Sequence, residues 1–246
     1  MESIANIATS RLVAQQRALD VIAGNIANAG TPGYKSERVL FSDWLSRQPG
    51  TSAPRGGGAI AYTQDRATWR DFSAGALTHT GNPFDLALTS EGYFTVSTPR
   101  GPRLTRDGRF GLMPDGTIAD GAGNALLDTN GKPIQLAPTD TSIEITSDGT
   151  LSSENGELGK IGIVRPTDPM QLQAEGATTF LSSGPTTAVT APGLVQGAVE
   201  ESNVQPIQEV ARMMNDLRQF QFVSELVETE GQRQQSAIDK LTQSHG

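Results

Sequence analysis

Apolar residues along this chain fall into two helical stretches flanking a middle of quite different texture. Between residues 4 and 28, Ala5, Leu12, Leu19 and Ile26 recur at one heptad position, and Ala8, Gln15, Ile22 and Ala29 at the other. Alternating steps of three and four residues put both sets on one stripe of a helix. Gly30 offers a left-handed terminal position and Pro32 cannot continue the helix, so the sequence predicts a stop there. Near the other end, Ser202 and Asn203 are good N-cap types and Pro206 suits a first turn. A second double stripe follows: Val210, Leu217, Ser224, Gly231 and Ile238 alternate with Met213, Phe220, Val227, Gln234 and Leu241. A helix over 206–242 is predicted, roughly 55 Å long at ~1.5 Å per residue. Ser224, Gly231 and Gln234 interrupt its apolar run.

Between the helices the period changes. Six Asp-Gly or Asn-Gly pairs lie in 107–156, at 107–108, 115–116, 120–121, 130–131, 148–149 and 155–156. Such pairs supply the positive backbone angles of tight hairpin turns. Short alternating runs surround them, among them Tyr93–Val96, Ile143–Ile145 and Ile161–Val164. The expected class is α+β: long N- and C-terminal helices pairing in a coiled-coil-like helical region, with a central all-β domain of short antiparallel strands. The expected division is 1–34 as an N-terminal assembly helix, 35–71 as an extended connecting segment, 72–197 as the β domain and 198–246 as a C-terminal assembly helix. Within the connecting segment, 48–58 reads as a flexible Pro- and Gly-rich link.

Composition narrows what such a chain can do. Of 246 residues, 36% are hydrophobic and 5% aromatic, with 27 Gly and 14 Pro, which suits a modest β domain with many turns. The formal net charge is −8 and the basic residues are scattered, so nucleic acid is not an expected partner. There is no cysteine, which removes disulfides, thiolate metal sites and a cysteine nucleophile. No stretch approaches the ~20 apolar residues of a transmembrane helix. The first residues carry no basic region followed by an apolar one, so a cleaved general-secretion signal is not expected.

Catalytic chemistry finds little support. The two histidines, His79 and His245, do not make a triad or a metal site. The Gly56–Gly58 run lacks the lysine and helix of a phosphate-binding loop. Asp120, Asn124, Asp128 and Asn130 depart from the spacing of a calcium loop. Asp107, Asp115 and Asp120 each precede a glycine, so turn formation explains them better than a glycosidase pair. No cofactor and no metal are expected. The amphipathic ends remain: either they form a hairpin within one molecule, or their stripes seek neighbouring subunits. Because an isolated helix pair is marginal, the second reading is favoured.

Particular residues add to this pattern. The run Asp20-Val21-Ile22-Ala23-Gly24-Asn25-Ile26-Ala27-Asn28-Ala29-Gly30-Thr31-Pro32-Gly33-Tyr34-Lys35 resembles the N-terminal signature of the flagellar rod and hook family. Thr80–Leu88, Gly92-Tyr93-Phe94, Leu104–Phe110 and Glu201-Ser202-Asn203-Val204 resemble later family segments in family order. Two places depart from the pattern: the opening Asn6–Ser10, and Arg218–Phe222. The short length and single β domain point to a rod subunit, the proximal rod ahead of the distal rod, and away from the longer hook protein.

The resemblance implies a structural, non-enzymatic subunit. It implies export unfolded through the flagellar type III apparatus and assembly in the periplasmic rod. The implied partners are other proximal and distal rod subunits and copies of itself. It places an assembly interface on Leu12, Leu19, Ile22, Asn25, Ile26 and Asn28, facing Val210, Met213, Leu217, Phe220, Val227, Ile238 and Leu241. Gly81, Asn82, Pro83 and Asp85 form a motif turn, and 35–71 is implied to be a tongue against neighbours. Two rival readings are a cell-wall-cleaving enzyme, opposed by the missing catalytic set, and a secreted adhesin, opposed by the paired terminal helices.

Overall fold

The computed structural model describes residues 2–47, 59–140 and 142–243, so the expected flexible link over 48–58 lies outside the described residues. The chain divides into two compact units. The first comprises Met1–Ala27, Glu37–Arg70 and Gln205–Gly246; the second comprises Asn28–Ser36 and Asp71–Val204.

The first unit contains both long helices, α1 (Glu2–Ala27) and α2 (Pro206–Gln243), with a hairpin of β1 (Glu37–Arg47) and β2 (Ala59–Arg70). The hairpin is antiparallel, starting from Glu37 opposite Arg70, with a bulge between Leu40 and Phe41. Helix α1 packs against both α2 and the hairpin. Ala8, Gln15 and Ile22 are buried at one heptad position, and Ala14 and Asn25 are buried on an adjoining face.

This corrects the expected fold class. Among the described residues there are two α-helices and a large β-rich central region, and the helical unit is not a two-helix, coiled-coil-like pair, because a hairpin completes it. Pairing of α1 with α2 is partial. On α2 the covered positions among the described side chains are Glu209, Met213, Asp216, Phe220, Val223, Ser224, Val227 and Glu230; apart from Ser224 they make a heptad stripe offset by one residue at every second position from the apolar one. Val210 and Leu217, expected in the seam, are 45% and 41% exposed. Three of the eight covered positions are acidic and one is a serine, so this stripe cannot form a continuous apolar seam.

Two local signals are also corrected. Helix α1 ends at Ala27, and the left-handed glycine beyond it is Gly33 (φ 68°), not Gly30. A Cβ at Gly33 would lie 2.3 Å from the Arg106 carbonyl carbon and the Asp107 nitrogen. Ser202 and Asn203 do not cap α2. The Ser202 hydroxyl accepts from the Val204 N–H, and Asn203 Oδ1 accepts from the Ser36 N–H at 2.7 Å.

The second unit is built from short antiparallel strands. Its main sheet centres on Tyr93–Thr98, paired with Gly101–Thr105, Ala125–Leu126 and Ile163–Pro166. A three-stranded sheet runs Ile143–Ile145, Thr150–Ser153 and Gly156–Lys160. Two small pairs join Leu86–Leu88 to Leu194–Gln196 and Leu77–His79 to Ala198–Glu200. Of the six Asp-Gly and Asn-Gly glycines, Gly116, Gly131, Gly149 and Gly156 have positive φ. Gly108 is needed for a different reason: a Cβ there would sit 1.6 Å from the Leu86 carbonyl oxygen. Phe94, Val96, Phe110, Leu126 and Leu151 anchor one apolar core. Phe180 with Tyr93 and Leu104 anchors a second.

Candidate assembly surface

The helical unit displays apolar surface that it does not cover itself. Along α2, Ile207, Val210, Met214 and Leu217 follow one another in steps of three and four and are 86%, 45%, 52% and 41% exposed. They form a second stripe, beside the covered one. Further along, Phe222 and Leu226 stand exposed over a groove of about 390 Å³, lined also by Ala8, Arg11, Arg218 and Val223. Exposed apolar patches of this kind mark interaction surfaces.

Behind that face the unit is held by polar contacts. Asn25 is fully buried; its amide donates to the Glu37 carbonyl (2.9 Å) and its oxygen accepts from the Glu37 N–H (2.8 Å). The helix end is thereby fixed to the start of β1. Glu209, 1% exposed, accepts from Arg38 of β1 and from Arg212, each at 2.8 Å. Its other oxygen, and both amide atoms of buried Gln15, are without a hydrogen-bond partner among the described residues. Burial pushes the Asp216 carboxyl above its ordinary pKa.

In the β unit the signature residues knit together. Lys35 is fully buried, and its ammonium donates to Glu200 Oε1 (2.6 Å) and to the Ser73 carbonyl (2.7 Å). The Gly75 N–H donates to the same carboxylate oxygen, and the Gly33 N–H donates to the Glu200 carbonyl. Burial lowers the Lys35 pKa, and the Glu200 partner opposes that shift. Asn203 donates to the Asp71 carbonyl while accepting from Ser36. Three strands of sequence, around 33–36, 71–75 and 200–203, are therefore tied into one knot.

Comparison with known proteins fits this distribution. The family described as "Flagella basal body rod protein" matches residues 6–35. "Flagellar hook protein FlgE/F/G D1 domain" matches 87–153, and "Flagellar basal body rod FlgEFG protein C-terminal" matches 195–240. The flagellar basal-body rod protein FlgF of Caulobacter vibrioides is 31% identical over 243 residues, covering 98% of each chain. FlgF of Mesorhizobium japonicum is 33% identical over 245 residues, again covering 98% of each. FlgG of Bacillus subtilis is 34% identical over 249 residues, covering 91% of this chain and 93% of its own. The chain belongs to the flagellar basal-body rod protein family. It is accordingly a structural protein of the rod and not an enzyme.

Within this rod protein the expected interface residues take different positions. Ile22 and Asn25 are buried, and Leu12, Leu19, Ile26 and Asn28 are partly covered. On α2, Met213, Phe220 and Val227 are partly covered, whereas Val210 and Leu217 face outward. The side chains of Ile238 and Leu241 lie outside the described residues. The motif turn closes on itself. Gly81 takes φ 77°, and Asp85, 4% exposed, accepts from the Thr80 hydroxyl (2.6 Å) and the Asn82 amide (3.0 Å). Asp120 and Asp128 likewise accept from backbone N–H groups of their own turns.

Sequence reasoning missed Glu209, Ile207 and Met214; it placed Gln15 on the heptad stripe and Lys35 in the signature run without reading the buried amide of the one or the ion pair of the other. Glu209 and Gln15 carry no apolar signal, and the Lys35–Glu200 pair spans 165 residues. Ile207 and Met214 were legible: each precedes Val210 or Leu217 by three residues and so shares its side of the helix.

Proposed function

We propose that this chain is a proximal-rod subunit that polymerises through its terminal helices into the shaft carrying torque to hook and filament. The observation that carries the reading is the outward stripe Ile207, Val210, Met214 and Leu217, left uncovered beside a face already used. Burying one such side chain contributes ~1.5–3 kcal/mol, so a few aligned contacts per neighbour decide assembly. In this reading the segments 1–34 and 198–246 carry assembly, 35–71 touches neighbouring subunits and 72–197 forms the outer body. The partners are copies of the chain and the adjoining rod subunits. Export unfolded through the flagellar type III apparatus delivers it to the periplasmic rod without signal cleavage. A placement in the distal rod is the second reading, favoured by the FlgG relative that spans 91% of the chain.

The test is a deletion strain whose basal bodies are purified and imaged. Rods that stop early, with motility restored by the wild-type chain and not by a Leu217→Asp chain, support the proposal. The stopping point separates proximal from distal. Complete rods in the deletion strain overturn both placements.

A further inference from the structure

The β unit has a polar cleft that the rod reading does not use. Phe72, Tyr93, Arg106, Arg165, Pro166 and Pro169 are among the residues lining this cavity of about 400 Å³. Its chemistry is set by Arg106, which is only 7% exposed. Nη2 donates to the Ser90 carbonyl at 3.0 Å, and Nε stands 3.5 Å from Glu200 Oε2. Nη1 is buried with no hydrogen-bond partner among the described residues. Glu200 is also committed to Lys35 at 2.6 Å, so two buried cations share one buried carboxylate. A buried donor on an incompletely balanced cation is costly, and an anion reaching it recovers a charge-assisted hydrogen bond.

The walls narrow the choice of anion. The Arg106 guanidinium lies 5.7 Å from the centroid of the Tyr93 ring, stacking cation on aromatic. Burial raises the Tyr93 pKa to about 12, so its hydroxyl stays a hydrogen-bond donor across the working pH range. Arg165 stands at the rim, paired with Glu91 at 3.8 Å, both side chains more than half exposed. Such a pair is weak and yields to a better partner, yet Glu91 repels a multiply charged ligand. The cleft therefore favours one negative charge on an apolar frame over phosphate.

We infer that the cleft between Phe72, Tyr93, Arg106 and Arg165 is a binding site for a peptide carboxylate flanked by apolar groups. Arg106 and Tyr93 receive the carboxylate, Arg165 closes over it, and Phe72 with Pro166 and Pro169 holds the frame. The site is independent of the helical surface and of the placement in the rod.

Calorimetric titration of the purified full-length chain tests it. N-acetyl-phenylalanine supplies a chain-end carboxylate and N-acetyl-glutamate α-amide a side-chain one. Saturable binding with a dissociation constant on the order of 1 mM or tighter is expected for one or both, and the preferred probe identifies the source. N-acetyl-phenylalanine amide, lacking the charge, binds about tenfold more weakly or worse. Arg106→Lys abolishes binding, while Tyr93→Phe and Arg165→Gln each weaken it several-fold with an unchanged circular dichroism spectrum. If Arg106→Lys disturbs the fold, the other two variants decide, and unchanged affinity in both overturns the site. Equal binding of the amide, tighter binding of inorganic phosphate, or no saturable signal overturns it as well.

Discussion

The two units of this chain differ in how far they cover their own apolar groups. In the β unit, Asp85, Asp120, Asp128 and Asn203 are each satisfied by neighbours a few residues away or across a strand, and Phe94 and Val96 are fully buried. In the helical unit, apolar side chains such as Ile207 and Met214 point outward while Gln15 and one Glu209 oxygen are buried without a hydrogen-bond partner among the described residues. The β unit closes two apolar cores of its own, and among the described residues its buried side-chain atoms without a hydrogen-bond partner are confined to a few groups, Arg106 Nη1 and Glu200 Oε2 included. The helical unit mixes acidic residues such as Glu209 and Asp216 among the apolar ones of its covered stripe and leaves further apolar side chains on an outer stripe, which limits the apolar area it buries by itself.

The largest way to break this contrast lies in the β core. Phe94→Ala removes a fully buried ring that packs edge-on against Phe110 at 5.4 Å between centroids. It should cost about 3–5 kcal/mol, read as a lowered urea midpoint of the β transition. An equal loss from Phe220→Ala would refute the contrast, because that ring is only partly covered. Next in size is Glu200→Gln, which leaves Lys35 and Arg106 buried without their shared counter-charge. A loss of about 3 kcal/mol is expected in the same assay. Since the β unit includes Asn28–Ser36, the loss should appear in the β transition and leave the helical one in place.

These two positions also show what could be read in advance. Phe94 sits in an alternating apolar run and announces its burial. Glu200 does not, because its partners Lys35 and Gly75 are brought to it only by the closed fold. The same division runs through α2. Met213, Phe220 and Val227 show in the heptad pattern and are covered, but their companion positions are Glu209, Asp216, Val223 and Glu230. A search for apolar repeats moves that half of the stripe one residue over, onto Val210 and Leu217. The hairpin of β1 and β2 was equally hidden, since its pairing depends on residues that read locally as a connecting segment.

A smaller effect of opposite sign is expected in the helical unit. Gln15→Leu replaces a buried amide, with no hydrogen-bond partner among the described residues, by an apolar side chain of similar size. It should stabilise the helical transition by about 1 kcal/mol, followed by far-ultraviolet circular dichroism during thermal melting. If the inner stripe is deliberately weak, the variant will also assemble less readily. Destabilisation would show instead that the amide has a necessary role in the free subunit.

The smallest effect is a difference in how the two units respond to acid. Asp115, Asp128, Asp140, Asp148 and Glu175 of the β unit all have carboxyls below the ordinary range. Hydrogen bonds from neighbouring backbone and side-chain groups outweigh burial at each of them. A lowered folded pKa means that the unfolded chain binds protons first, so the stabilisation is present above the ordinary carboxylate range and is lost as pH falls through the lowered values. Asp107, raised by burial, opposes this within the same unit. In the helical unit the resolved carboxyl shift is that of Asp216, raised by burial, so its folded form takes up a proton before the unfolded form does. Lowering the pH through that raised value toward the ordinary range therefore strengthens the helical unit, and acidification beyond it, through the ordinary range toward the lowered values, weakens the β unit. Urea unfolding at pH 7 and pH 3, followed by helical and by aromatic dichroism, should show the aromatic midpoint falling further than the helical one. Parallel shifts would mean that the two units do not differ in their proton linkage, and Asp216→Asn should remove whatever helical gain is seen.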